Sequence, residues 1–369
     1  MLDSIFEDLH AKRIDSLARY TVGAMHGARA GIHAIGAAYA AFAEIKDKHG
    51  IKQVDRYLSN KGIDVEALAP GWVRFVLSSR SEVIIALDWT EFDDDAHSTL
   101  AAYVVTTHGR ATPLVWKTVT KNSLKNGGRT KAEHALIDRL AGAIPEHIGI
   151  TLLADRGFGG QKLYETLQLL KWDFVIRFRG GIGVEHKGEQ KRASAWIPPT
   201  GRATKLRDAR VTKDKTQVGC VVVVHDKRMK EPWCLASSFS SKTAAAIVKL
   251  YGRRFTIEET FRDHKDLRFG MGLRATHIRS TDRRDRLLML LAIAQALLTL
   301  LGAASERAGM DAYLKANTVK RRTHSLFRQG ITWYDRIPTM RDDWFHQLID
   351  AFDEVLADHA ELSEILSVI

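Results

Sequence analysis

Residues 81–180 alternate between short apolar runs and amphipathic stretches, and that alternation leaves few ways to fold. SEVIIALDWTEF is an apolar run reaching Asp88, and STLAAYVVTTHGRATPLVWKTV holds two β-prone runs around a His108-Gly109-Arg110 turn. Helical periodicity follows at residues 131–144, IGITLLADRGFG is a second apolar run ending at Asp155, residues 161–171 are helical again, and DFVIRFRG is a fifth strand. The predicted order is βββαβαβ. Antiparallel strands continued by parallel strands through helical crossovers give an α/β fold, a mixed five-stranded sheet with helices on both faces. If the first and fourth strands are neighbours, Asp88 and Asp155 emerge side by side, at strand ends where such sheets bind ligands.

The flanks read differently. Residues 1–80 are predicted helical, with Ala-rich patterning at 17–45, a second segment at 51–58 ahead of Pro70, and glycines between 23 and 36 that suit close helix packing. A structural bundle and a DNA-end recognition domain both fit this region. Residues 181–235 are Gly- and Pro-punctuated and basic, with β-prone runs VGCVVVVHD and PWCLASSF, which reads as an inserted β-rich subdomain. Helical pattern returns at Lys242, so residues 236–310 resume the unit begun at 81–180, and residues 311–369 form a C-terminal helical region suited to dimerisation.

With 369 residues, 45% hydrophobic and 27% charged, the chain has room for two or three cored domains, and disorder is not its theme. Its formal net charge of +11 favours polyanionic partners. That excess is concentrated: residues 171–230 hold fifteen Lys and Arg against six Asp and Glu, whereas residues 342–369 hold eight acidic residues, the last being Glu364, and no Lys or Arg. Cys220 and Cys234 are too few for a disulfide framework or a zinc site, and fit a reducing compartment as apolar fillers. The opening MLDSIFEDLHAKRID is too acidic for a signal peptide. Residues 287–304 carry no charge and reach the lower limit for a membrane span, but interior Gln295 and Thr299 and the dense charge at 282–286 make this a buried core helix, with no membrane partner.

Tyr251, Arg254, Glu258 and Lys265 stand at offsets of three, four and seven, within an arc of about 60° on one helix. Alone, such a stripe is as well explained by a solvated face with a weak ion pair. The upstream aspartates change its weight, because Asp88, Asp155 and Glu258 together form a set of hard oxygen ligands suited to Mg²⁺ or Mn²⁺. Two ions about 4 Å apart activate a water or 3′-hydroxyl and stabilise the leaving oxygen of an in-line displacement. Asp93, Asp94 and Asp95 lie in a polar loop run and read as solvated, and Glu259 lies off the stripe. Arg156, beside Asp155, fits a phosphate contact and a strand-end surface residue equally, and the cations from Arg177 to Arg210 form a backbone-binding group, although a solvated basic face accounts for any single one of them.

These residues resemble the DDE-type transposases of bacterial insertion sequences, in the IS-four family defined by Tyr-x2-Arg-x3-Glu-x6-Lys. All four signature positions match, and LDWTEF, LADRGF and the strand order between them extend the resemblance over roughly residues 75–275; THSLFRQG also fits. The resemblance implies a ribonuclease H-like catalytic domain interrupted by the insertion, with Asp88, Asp155 and Glu258 as ligands of two Mg²⁺ ions. It implies that Tyr251, Arg254 and Lys265 contact the DNA backbone near the cleaved end. Trp233, eighteen residues before Tyr251, takes the place of an aromatic that supports an extruded base during hairpin formation, recovering about 1 to 3 kcal/mol of unstacking. The implied protein binds double-stranded DNA at its element's ends and at the target as a homodimer, in the bacterial cytoplasm at the nucleoid. The alternative is a domesticated or inactive DNA-binding protein that keeps the fold; the intact Asp88, Asp155, Glu258 and Lys265 argue against it.

Overall fold

The computed structural model describes residues 1–361 other than 79, 107 and 267–270; Glu364 lies outside the described residues. Five helices come first: α1 (Leu2–Ile5), α2 (Ala11–Met25), α3 (Ile32–Phe42), α4 (Asp47–Ser59) and α5 (Val65–Leu77). Glycine lets the backbones touch. A Cβ at Gly23 would stand 2.7 Å from the Ile35 carbonyl oxygen of α3, and one at Gly36 would stand 2.4 Å from Ile51 Cα of α4. Tyr20 meets Tyr39 and Tyr57 edge-on, each at 5.2 Å. Asp64 caps α5 by accepting from the Glu66 and Ala67 N–H groups. Pro70 lies inside α5, where buried Trp72, Val73, Val76 and Leu77 outweigh the lost backbone bond.

The predicted alternation then folds as β1 (Glu82–Phe92), β2 (His97–Val104), β3 (Thr112–Thr120), α6 (Gly128–Ala143), β4 (Gly149–Ala154), α7 (Gln161–Leu169) and β5 (Asp173–Phe178). Their order in space is β3-β2-β1-β4-β5, antiparallel from β3 to β1 and parallel from β1 to β5. The sheet does not stop at the five strands expected. The basic segment contributes β6 (Gly183–His186), β7 (Glu189–Arg192), β8 (Thr204–Arg207), β9 (Arg210–Val211), β10 (Thr216–Gln217), β11 (Cys220–Val224) and β12 (Trp233–Ser237), of which β12, β11 and β8 continue the main sheet beyond β5 to eight strands. The physical reason is in CVVVV and WCLAS: the first is apolar at every position and the second at all but its last, and such strands need cover on both faces, which a sheet interior supplies and a small separate unit does not. The other four strands form a second sheet, in the order β10-β9-β6-β7. Both cysteines are free and buried.

Helices cover both faces of the main sheet. Leu153, Val175, Val222 and Leu235 pack against Ile247 and Tyr251 of α8 (Ala244–Gly252), whereas Phe174 on the opposite face stacks on Tyr164 of α7 at 5.5 Å. The chain continues through α9 (Thr256–Lys265), α10 (Thr281–Arg307), α11 (Leu326–Arg336) and α12 (Asp342–Glu361). Among the described residues α10 is the one helix long and apolar enough to cross a membrane, yet 89% of its apolar window is buried inside the protein. α2, α11, α12 and β3 surround it. Its contact with α11 is close enough that a Cβ at Gly330 would stand 1.7 Å from the Leu298 carbonyl oxygen.

The helix expected to carry the four-residue stripe is not continuous. α8 ends at Gly252, residues 253–255 tighten into a 3₁₀ turn in which Arg253 N–H reaches Leu250 O, and α9 begins at Thr256. Three residues at a 3₁₀ twist turn the chain about 60° further than an α-helix would, so α9 as a whole is rotated relative to α8, although Glu258 still reaches Arg254 across the turn.

Candidate active site

The β1–β4 register sets Leu87 opposite Ala154, so Asp88 and Asp155, the next residues on two parallel neighbours, stand at one level. Asp88 is not at the end of its strand: β1 stays paired with β2 as far as Phe92 opposite His97, and only its pairing with β4 stops at Leu87. Both aspartates share the face of Leu153, the side that α8 covers. The Trp89 N–H donates to Asp88 Oδ1 at 2.9 Å.

α9 delivers the third carboxylate. Its inner face is Ile257, Thr260, Phe261 and His264, the three-four-seven spacing of a helix with one side buried, and Phe261 meets Tyr103 of β2 edge-on at 5.3 Å. Glu258 in the first turn therefore leans off that face, with its side chain 50% exposed. Arg254 stands between the carboxylates, donating from Nη1 to Asp88 Oδ2 at 2.8 Å and from Nη2 to Glu258 Oε1 at 2.7 Å. Its side chain is 4% exposed, and its buried Nε has no partner among the described residues. The Tyr251 hydroxyl donates to Asp155 Oδ1 at 3.2 Å, and Arg177 Nη1 approaches the same oxygen at 3.7 Å.

The electrostatics follow from this crowding. Burial pushes the Asp88 carboxyl up, and the neighbouring Asp155 and Glu258 charges add to that, against Arg254 and the Trp89 N–H. For Arg254, burial works against the charge but loses to Tyr251, Asp88, Asp155 and Glu258, which together hold the guanidinium firmly protonated. Burial raises the Tyr251 hydroxyl, so it remains a donor to Asp155. The donor chemistry fits a hard divalent cation: three carboxylates on one face, their charge balanced mainly by one guanidinium. Among the described residues no three such groups stand at metal-binding distances, and Arg254 lies between Asp88 and Glu258.

Trp233 opens β12 beside this cluster, its ring 4.9 Å from Tyr251 and 5.8 Å from Phe255, to which it is inclined by 31°. Arg156 and Arg177 share Glu231, at 2.9 and 2.8 Å. Lys265 is the expected residue that the fold takes elsewhere. Its Nζ donates to Glu91 O at 2.8 Å and lies 4.9 Å from the Phe92 ring, three residues along β1 from Asp88. Burial pushes this lysine down to about 8, Arg274 and Arg284 adding to the effect and Glu91 and Asp93 opposing it.

Sequence reasoning placed Arg177 only in a basic group and did not single out Phe255 or Glu231. The signal for Arg177 was present: it follows Ile176 on β5 as Asp155 follows Ala154 on β4, and those two residues are partners. For Phe255, 40% exposed against Trp233, the local pattern held no signal, since its role depends on the 3₁₀ turn.

Residues 81–297, more than half of the chain and inclusive of Asp88, Asp155 and the α8–α9 segment, match the family model described as Transposase DDE domain. A search of curated proteins finds no match.

Proposed function

The chain belongs to the transposase DDE domain family, and on that footing we propose that it is an IS-four-type transposase that binds the ends of its own element, cuts them and joins the freed 3′-ends to target DNA. The observation that carries this reading is the convergence of Asp88, Asp155 and Glu258 on one sheet face around a buried arginine. Residues 81–180 and 236–310 make up a ribonuclease H-like catalytic unit, residues 181–235 its DNA-facing insertion, residues 1–80 an end-recognition region and residues 311–369 a dimer contact. Two ends must be held together, so the working form is a homodimer on double-stranded DNA, in the cytoplasm at the nucleoid.

Asp88, Asp155 and Glu258 would hold two Mg²⁺ ions, or Mn²⁺, which supply activation of the attacking oxygen and stabilisation of the leaving one. Arg254 presents a planar fork of donors suited to a phosphodiester, and takes the scissile phosphate as it yields a carboxylate contact. Tyr251 keeps Asp155 oriented through its neutral hydroxyl. Arg156 and Arg177 exchange Glu231 for backbone phosphates, and Lys265, at the Glu91 end of β1, meets the strand further from the cut. Trp233, with Phe255 beside it, offers an aromatic face to an extruded base if excision passes through a hairpin.

The test is cleavage of labelled element-end DNA in Mg²⁺. Glu258→Gln is expected to slow cleavage by ~1,000-fold, about 4 kcal/mol of transition-state stabilisation, while the end-DNA Kd stays within roughly threefold. In the same assay Trp233→Ala lowers hairpin formation more than first-strand nicking. Equal cleavage by the wild type and Glu258→Gln would sink the reading and favour an inactive DNA-binding relative.

A further inference from the structure

We propose that a buried polar clamp on Ala111 positions the glutamate helix, with Thr260, His264 and Gln295 as positioning residues; this rests on the reading of Glu258 as a metal ligand. Ala111 immediately precedes β3 and is fully buried. Both of its backbone groups are answered by helix side chains. Its N–H donates to Thr260 Oγ1 of α9 at 2.9 Å, and its carbonyl oxygen accepts from Gln295 Nε2 of α10 at 3.0 Å. The Thr260 hydroxyl also lies 3.2 Å from Ala111 O and 3.1 Å from Thr256 O, either of which can take its proton.

Gln295 uses the other end of its amide on the same helix: Oε1 stands 2.6 Å from His264 Nε2. Burial lowers the His264 pKa, so the ring is neutral, with its proton on Nε2 facing the amide oxygen. Thr260, His264 and Gln295 are each at most 3% exposed, and outside them Arg110 pairs with Asp263. A glutamine in an apolar helix is tolerated only when its amide is bonded at both ends. Here both bonds lead to α9 or to the residue that holds it.

Glu258 precedes Thr260 by two residues on a ten-residue helix that hangs from a 3₁₀ turn. On α9's outer face Glu258 is held by Arg254, which itself changes partners in the proposed reaction, while Lys265 on Glu91 O and Asp263 with Arg110 tie down only the far end of the helix. At a side-chain radius of ~5–6 Å, a roll of about 10° carries a carboxylate by roughly 1 Å, a misplacement on the order of 100-fold in rate. The clamp sets that angle from the side of the helix away from solvent, and ties it to α10.

The experiment uses full-length Thr260→Val, Thr260→Ser and Gln295→Leu, with Glu258→Gln as reference. Mn²⁺ binding to the protein on element-end DNA is followed by electron paramagnetic resonance, alongside Mg²⁺-dependent cleavage, the end-DNA Kd and thermal melting. Thr260→Val and Gln295→Leu are expected to raise the half-saturating Mn²⁺ concentration ~10- to 100-fold, the usual scale for loss of an outer-shell partner, with the DNA Kd within roughly threefold of wild type. Thr260→Ser, which keeps the hydroxyl, is expected to restore wild-type binding. If both core variants fail to fold, Arg110→Met at the rim of the clamp carries the same Mn²⁺ measurement with a smaller increase. Unchanged Mn²⁺ affinity in the folded clamp variants, or a Thr260→Ser loss equal to that of Thr260→Val, would overturn the clamp while Glu258→Gln remains impaired. Wild-type Mn²⁺ affinity and cleavage in Glu258→Gln would overturn the metal reading, and the clamp with it.

Discussion

α9 and α10 follow one another in the chain and share a polar joint, but they are built on opposite plans. α9 is charged, ten residues long, and turns Glu258, Glu259 and Arg262 away from its buried side. α10 is 27 residues long and buried along nearly all of its length. What fixes each helix is the minority that breaks its plan. In α9 these are Ile257, Phe261 and the buried polar pair Thr260 and His264. In α10 they are Arg284, which pairs with Asp95; Asp285, whose Oδ1 accepts from the Thr118 N–H at 2.9 Å; Arg286, which donates to Ile63 O and Leu58 O at 2.8 and 2.9 Å; and Gln295. A residue at odds with its own helix, once buried, has to find a partner in another element.

The contrast can be broken at its strongest point by Gly330→Ala. Its new methyl group would overlap the Leu298 carbonyl of α10, so a loss of roughly 3 kcal/mol or more is expected in urea denaturation, whereas Glu259→Ala on exposed α9 stays within about 0.5 kcal/mol. Comparable losses in both would remove the distinction.

Asp285 sharpens it next. Burial pushes its carboxyl up to about 7, against the Thr118 hydrogen bonds and Lys117. The native state thus holds the proton more tightly than the unfolded chain between pH 4 and about 7. The stability that this neutral acid contributes is complete below pH ~4 and lost as pH rises through about 7, on the order of 2 to 4 kcal/mol. Asp285→Asn keeps an acceptor for Thr118 and has no proton to lose, so it is expected to be more stable than the wild type at pH 8, with the gap closing towards pH 4.5. Parallel stability profiles from pH 4.5 to 8 would show that Asp285 does not titrate in this window.

Smallest in free energy, though largest in function, are changes on α9's outer face. Glu258→Gln is expected to melt within a degree or two of wild type while losing cleavage, which a calorimetric scan beside the cleavage assay would check.

The central strands were legible because each carries its own pattern. The runs ending near Asp88 and Asp155 predicted β1 and β4, and parallel pairing of those two was enough to bring the aspartates level. The joining of β12, β11 and β8 to the sheet was not legible, because local pattern names a strand but not its neighbour. Arg254 was read as one member of a stripe, and its place between Asp88 and Glu258 depends on a contact 166 residues apart in sequence. Lys265 shares α9 with Glu258, but seven residues carry it about two turns further along that helix, and which group it meets there, Glu91 O, was not legible from spacing alone.

The outer side of β3 has a further consequence, for how molecules of this protein meet one another. An eight-stranded sheet ends in two strands whose free backbone groups could template the addition of another chain. On β3 several of those groups are already taken by side chains: Pro113 O by Trp72, Trp116 O by Arg139 and Thr118 N–H by Asp285. At the other end β8 is only four residues long and carries Lys205 and Arg207. Neither end is a flat apolar template, so the protein is guarded against edge-to-edge aggregation by side chains that also tie its elements together.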